Sequence, residues 1–425
     1  MREITVAIAG LGSRGRDAYA RFIEEQPGKV KVTAAADLSD ARMSEAAATF
    51  GIPAENCFQT ADEMLKADKL ADLMFVCTPD DNHYDTAIKA LKKGYHLLLE
   101  KPVATSEAHC IEIARVAKEC DRHVLVCHVL RYSPFYAKVK EVIASGKIGD
   151  VVTINALEAV GYYHQAHSFV RGKWRDAAES SPMILAKCCH DLDILIWLMD
   201  ARIKSLSSYG SLFYFKAENA PEGAAERCLD GCSAKEHCPY DAEKIYITGE
   251  LAGIRHGHTS WPVDVLARPV TEENIRKALE TGPYGRCVFK CDNDVVDHQV
   301  VNMEFEGGMT AHLTMSGFTP EIYRTIEVMG TRGMIEGDMR TNIVKTTVFG
   351  HPPEEENMSV VIGGQAGHGG GDARMFDDLL ELVSGGGGAA LTSIDNSIES
   401  HLASFAAERS RLNGGMPEVF TEADS

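Results

Sequence analysis

No apolar run in the 425 residues approaches the about 18 needed for a membrane-spanning helix, which argues against a helical membrane protein. Positive charge is also short. Lys and Arg total 43 against 62 Asp and Glu, a net charge of -19. Nucleic acids and anionic membrane surfaces both call for a basic face, so neither is expected as a partner. Internal repeats and long low-complexity tracts are missing, and "GGQAGHGGGD" and "SGGGG" read as loops. The N-terminus enters a patterned strand within a few residues, leaving no room for a signal peptide, so a cytoplasmic location is expected. Twelve cysteines would suggest disulfides in a short secreted chain, but Cys77 and Cys127 lie in apolar strands and read as reduced, packed thiols.

What is present is an ordinary globular composition, 45% apolar and 25% charged, long enough for two or three domains. Short apolar strands ("ITVAIAG", "VKVTAAAD", "LMFVCT", "HLLLE", "HVLVC") alternate with helical stretches over the first 125 or so residues. That pattern predicts an α/β unit, a doubly wound parallel sheet covered on both faces, over residues 1–127. From about 150 the strands lengthen and alternate ("VVTINALEAV", "QVVNMEFEGG", "MTAHLTMSGF", "RTIEVMGTRGMIEGD"), predicting an α+β domain with a large, mostly antiparallel mixed sheet over 128–395. A cysteine-bearing insertion with little periodicity is expected at about 216–295. A C-terminal helix and tail, 396–425, is expected to dock on one of the domains.

"VAIAGLGSRG" sets Gly10, Gly12 and Gly15 in G-x-G-x-x-G spacing between a strand and a helical stretch, with Ser13 and Arg14 inside the loop. Such glycines allow a tight turn and close approach to a pyrophosphate at a helix N-terminus. Asp37 ends the second strand, where a carboxylate accepts from a ribose diol and repels a 2′-phosphate. This favours NAD over NADP, although Arg14 and Arg16 lie near the loop. Thr78, Pro79, Asn82 and His83 in "CTPDDNHYD" should border the same crevice, since ligands bind at the carboxyl ends of parallel strands. The alternative is a glycine turn beside a surface aspartate.

"LLLEKPVAT" carries an apolar strand straight into Glu100, Lys101 and Pro102. Pro102 pushes Lys101 toward extended geometry and so aims its side chain at the crevice. Beside a nicotinamide ring and partly desolvated, that lysine becomes competent in proton transfer, with Glu100 to orient it. A surface ion pair is the alternative. "MILAKCCHDLDILIWLMD" sets Lys187 and His190 on one face of an apolar helix, where histidine suits removal of a hydroxyl proton at neutral pH.

An N-terminal dinucleotide loop, an acid after the second strand, E-K-P after a later one and a mixed-sheet domain together resemble the glucose-fructose oxidoreductase/inositol dehydrogenase/rhizopine-catabolism (Gfo/Idh/MocA) family, as do "GHGGGD" and "SHLASFAAERSR". The resemblance implies hydride transfer between nicotinamide and a carbinol carbon of a sugar, cyclitol or related polyol, with Lys101 in the catalytic set. In that family an aspartate often stands four residues ahead of the histidine. Here the position is Ala186, followed by Lys187, which stands in as a substrate hydrogen-bond donor.

"VGYYHQAHSFVRGKWR" crowds Tyr163, His164, His167, Arg171, Trp174 and Arg175 into a few turns, offering donors for hydroxyls and a flat ring for a pyranose face; an ordered loop packing on the first domain is the alternative. Arg131 and His368, the latter on a glycine-rich loop, complete the expected substrate set. Cys228, Cys232, Cys238 and Cys287, with Cys291 as alternate, have spacing compatible with a structural zinc site; iron–sulfur ligation and free thiols are the alternatives. Three functions are open. The first is an NAD-dependent sugar or polyol dehydrogenase. The second is redox-neutral glycoside cleavage through transient oxidation of a ring carbon by tightly held NAD. The third is a non-catalytic NAD-dependent sensor. A homo-oligomer, dimer or tetramer, is expected on fold analogy.

Overall fold

The computed structural model describes residues 3–362, 370–385 and 390–421. Six strands form the first sheet: β1 (Ile4–Ala9), β2 (Val30–Ala36), β3 (Cys57–Phe58), β4 (Leu73–Val76), β5 (His96–Leu99) and β6 (Val124–Val126). All pairs are parallel, in the order β3-β2-β1-β4-β5-β6. The strands are short and almost continuously apolar because both faces are covered. One face packs on Phe22, Phe376 and Leu379, the other on Ala90, Ile113 and Val116. Ser39, Thr60 and Ser106 each cap a covering helix by accepting from the backbone N–H three residues on.

The second sheet has nine strands: β7 (Val151–Ala159), β8 (Ile203–Ser211), β9 (His298–Phe305), β10 (Thr310–Ser316), β11 (Tyr323–Gly330), β12 (Gly333–Asp338), β13 (Ile343–Val348), β14 (Glu354–Asn357) and β15 (Glu418–Val419). Their order is β14-β13-β12-β11-β7-β10-β9-β8-β15. Only β7 and β10 pair in parallel. "RTIEVMGTRGMIEGD", which reads as one strand, folds as the β11–β12 hairpin because Gly330-Thr-Arg-Gly333 turns the chain. One face of the sheet packs on the helix Cys189–Met199 through Leu192, Leu195, Val301, Leu313 and Val328.

The expected insertion lies between β8 and β9. Little of its pattern is periodic, yet it builds its own core from Phe215, Tyr240, Tyr246, Ile275, Leu279 and Phe289. The helix Gly371–Val383 buries Met375, Phe376 and Leu379 against the first sheet. The last long helix, Ile394–Leu412, touches both units rather than one. Its His401 Nε2 accepts from Val103 N at 2.9 Å, its Glu399 accepts from Ile203 N at 3.0 Å, and its Ser410 Oγ accepts from Ser208 N at 2.9 Å.

Candidate active site

β1 runs into Gly10, whose φ of +94° favours glycine, and a Cβ there would stand 2.4 Å from the Cys77 carbonyl oxygen after β4. At Gly15 a Cβ would meet Gly10 O at 1.9 Å. The two glycines let β1 and β4 approach where the strand order reverses, the usual ligand crevice of such a sheet. A cleft of about 1100 Å³ opens there, lined by Gly10, Gly12, Ser13 and Arg14 of the loop. Gly15 lies behind it as a packing residue. Asp37 faces the cleft with its carboxylate fixed by Leu11 N and Ser39 N, each 2.8 Å away. Arg42 stands 3.9 Å from Asp37, whereas Arg16 turns to Glu24.

Thr78, Pro79, Asn82 and His83 border the same cleft, as expected. The Thr78 hydroxyl is buried there with no hydrogen-bond partner among the described residues. The ring nitrogens of His83 lie 2.7 Å from the Pro102 carbonyl oxygen and 2.8 Å from that of Thr78, joining the ends of β4 and β5. A glycine cradle, an anchored carboxylate and an orphaned hydroxyl fit a dinucleotide, with Asp37 for the ribose and the loop for the pyrophosphate.

Glu100 behaves differently from expectation. Its side chain does not hold the Lys101 ammonium. It accepts from Arg14 Nε at 2.7 Å and from the Tyr19 hydroxyl, and reaches Lys101 only through the backbone N–H at 3.0 Å. Burial alone would raise the Glu100 carboxyl, but Arg14, Lys101 and Tyr19 bring it below its usual range. Arg14 also donates to Asp372 at 2.6 Å. Asp372, in the "GHGGGD" segment, thus lies beneath the glycine loop.

The residues expected to be catalytic line the same cleft. Lys101 Nζ donates to Ala186 O at 2.8 Å, and Lys101, Lys187 and His190 all line the cleft. The segment carrying Lys187 and His190 is not the continuous helix its apolar pattern suggests. It breaks at Lys187 and Cys188, between Met183–Ala186 and Cys189–Met199. The break lies beside the Ala186 carbonyl that Lys101 takes up, and it lets Lys187 reach Glu158 at 3.0 Å. Arg324 lies 2.8 Å from the other Glu158 oxygen and donates from Nε to Asp191 at 2.7 Å. Burial pushes the Asp191 carboxyl up, with Arg324 opposing. Arg14, Arg42, Lys173, Lys187 and Arg324 each have a carboxylate within ion-pair distance. Lys101 is the one lysine or arginine lining the cleft with none among the described residues. Glu158 and Arg324 escape the motif search, though each leaves a signal: both are charges on the core-facing side of an alternating strand.

Of the expected substrate residues, His164 and Trp174 line the cleft, the Trp174 indole N–H donating to Asp80 at 2.9 Å, whereas Arg171 is buried and donates to the Arg286 and Tyr240 carbonyl oxygens at 2.7 Å each. Arg131 is buried in a bidentate pair with Asp193, at 2.7 and 2.6 Å, away from the cleft. His167 stacks on Tyr284 and bonds the Tyr246 hydroxyl at 3.0 Å, inside the insertion's core. Tyr163 packs on Trp261, and Arg175 is held by Asp292. His368 lies outside the described residues. Beside His164, the wall near Lys187 is built by Phe169 and Trp261, the last supplied by the insertion. Burial, followed by Lys187 and His167, lowers the His164 imidazole well below its usual range.

Residues 4–128 match the family model described as "Oxidoreductase family, NAD-binding Rossmann fold", and residues 140–411 match its companion, "C-terminal alpha/beta domain". The chain belongs to the Gfo/Idh/MocA oxidoreductase family. Curated relatives include a putative oxidoreductase, YteT, of Bacillus subtilis, 26% identical over 75% of this chain and 74% of its own length. A scyllo-inositol 2-dehydrogenase (NAD(+)) of the same organism is 28% identical over 73% of this chain and 93% of its own. An inositol 2-dehydrogenase of Salmonella typhimurium aligns over 48% of this chain and 57% of its own length at 26% identity. Among solved structures, an NAD binding oxidoreductase from Klebsiella pneumoniae superposes with a TM-score of 0.70 at 17% identity, over 99% of this chain and 100% of its own. The WlbA dehydrogenase of Bordetella pertussis, solved with NADH and UDP-GlcNAcA, gives 0.68 at 16% identity over 99% and 98%. These two likenesses concern the fold.

The zinc expectation is not met in this member of the Gfo/Idh/MocA family. Among the described residues no three His, Cys, Asp or Glu side chains are placed to hold a metal ion, and all twelve cysteines are free. Cys228 accepts from Arg171 at 3.5 Å, and Cys291 donates to Cys287 O at 3.3 Å. Burial raises the thiols of Cys228, Cys238 and Cys291, favouring the uncharged form. Cys232 and Cys287 stand with Cys228 and Cys238 around a water-sized void. The crosslink that the insertion needs comes from its aromatic core.

Proposed function

We propose that this chain is an NAD-dependent oxidoreductase transferring a hydride between nicotinamide C4 and a carbinol carbon of a sugar, cyclitol or related polyol. The observation that carries this reading is the convergence of Lys101, Lys187 and His190 on the cleft that the glycine loop and Asp37 also line. NAD, when bound, supplies the hydride acceptor. Lys101, unmatched by a carboxylate, donates to the hydroxyl oxygen of the reacting carbon. His190 takes the hydroxyl proton, and Lys187 donates to a neighbouring oxygen. Asp37 supports NAD over NADP, since a 2′-phosphate would meet its carboxylate. The names of the relatives aligned over 48% and 73% of the chain support cyclitols and polyols as the first compounds to test. Purified protein with NAD and a panel of polyols and sugars should produce NADH with at least one of them. Failure across a broad panel, with NAD bound, would sink the reading.

Redox-neutral glycoside cleavage is favoured by one observation, the presence of His164 in the same cleft as a further acid/base group beyond Lys101 and His190. Bond cleavage without NADH accumulation, on cofactor that copurifies, would identify it. The homo-oligomer reading rests on the outer face of the second sheet, where Asn155 bonds Glu327 at 3.4 Å and His312 meets Asn302 at 2.8 Å. Sedimentation at several concentrations tests it.

A further inference from the structure

Glu158 is a fully buried carboxylate on β7, and it has no role in the hydride chemistry just described. A buried carboxylate is tolerated only when paired, and this one has two partners with different attachments. Arg324 stands directly opposite it in the β7–β11 register, 2.8 Å away. Lys187, 3.0 Å away, comes from the break between the two helical pieces. Arg324 continues to Asp191 at 2.7 Å. Lys187 and Asp191 flank His190 along the chain, three residues before it and one after. The four charges therefore form a closed, electrically balanced set that ties both flanks of His190 to the sheet floor.

We propose that Glu158 is a positioning residue for substrate. One carboxylate oxygen aims the Lys187 ammonium into the cleft, and the other, through Arg324 and Asp191, fixes the helix start that presents His190. This rests on the roles given above to Lys187, a hydrogen-bond donor to substrate, and to His190, the proton acceptor. It predicts that Glu158 matters to substrate and leaves NAD alone, because its partners lie away from the glycine loop and Asp37.

The test compares wild-type protein with E158Q, E158D, K187M and the E158Q/K187M double variant, using NAD and a polyol that the wild type oxidises. In E158Q, kcat/KM for the polyol should fall about 100-fold, the cost of a misplaced reacting group. NAD affinity measured by calorimetry should stay unchanged. K187M should lower kcat/KM too, and the double variant should lose less than the product of the two single losses, since both substitutions disturb the Glu158–Lys187 contact. E158D, which keeps the charge on a shorter arm, should recover part of the loss. Three results would overturn the proposal: wild-type kcat/KM in E158Q, multiplying losses in the double variant, or a parallel loss of NAD affinity. If the wild type oxidises no polyol, the functional reading fails on its own. Glu158 is then judged by a crystal structure of E158Q with NAD, where a Lys187 side chain still in its present place counts against it.

Discussion

At the scale of single residues, what matters is which charges are already matched. Lys101 is a lysine at a strand end with a backbone carbonyl for a partner and no carboxylate among the described residues, so its ammonium can serve an incoming oxygen. Lys101→Met should leave NAD binding intact and lower kcat by about 100-fold or more, the usual worth of a positioned proton donor or acceptor. Normal turnover in that variant would remove Lys101 from the mechanism. Gly10 offers a second test. A methyl at this position would collide with Cys77 O and hold a strained φ, so Gly10→Ala should abolish NAD binding in a calorimetric titration while circular dichroism stays that of a folded protein.

At the scale of elements, the first sheet was legible because parallel strands covered on both faces leave apolar runs that only a doubly wound unit explains. The residues lining the cleft beside β1 and β2 were legible for the same reason: the glycine loop and Asp37 stand at fixed places on those strands. Those lining the cleft elsewhere were not. Tyr163, His167 and Arg175 cluster in sequence, but a run of polar and aromatic side chains carries no period that says which of them faces the cleft. Glu158, Arg324 and Trp261 come from elements brought together only by the mixed sheet and the insertion. Arg131 shows the same limit from the other side, since a buried bidentate pair and a substrate-binding arginine look alike in one dimension. Arg131→Met, which strands Asp193 without its partner, should cost about 3–5 kcal/mol in urea unfolding. A loss far below that would show that the pair is not structural.

At the scale of the whole molecule, several histidines are buried in neutral form at the junction of the two sheets and in the insertion. Burial, followed by His128, lowers His401 to about 3, and burial, followed by Arg171, lowers His167 to about 3. In the unfolded chain these imidazoles titrate near about 6.5. Their stabilisation is therefore complete above that pH and is lost as pH falls from there toward 3, because only the unfolded chain takes up the protons. Each should contribute a slope of about 1.4 kcal/mol per pH unit in that window. Urea unfolding across the window checks this, and His401→Gln should flatten the slope relative to wild type; an unchanged slope would exclude His401 as a source.

The helix Ile394–Leu412 bonds Val103, two residues beyond Lys101, at one point and Ile203 and Ser208 of the second sheet at others. It acts as a strut that sets the spacing between the end of β5 and the second sheet. Wide, clam-like gaping would have to break those bonds, so traffic of ligands through the cleft should proceed by movement of its rim, with the amides of Val103 and Ser208 staying protected from hydrogen exchange throughout turnover.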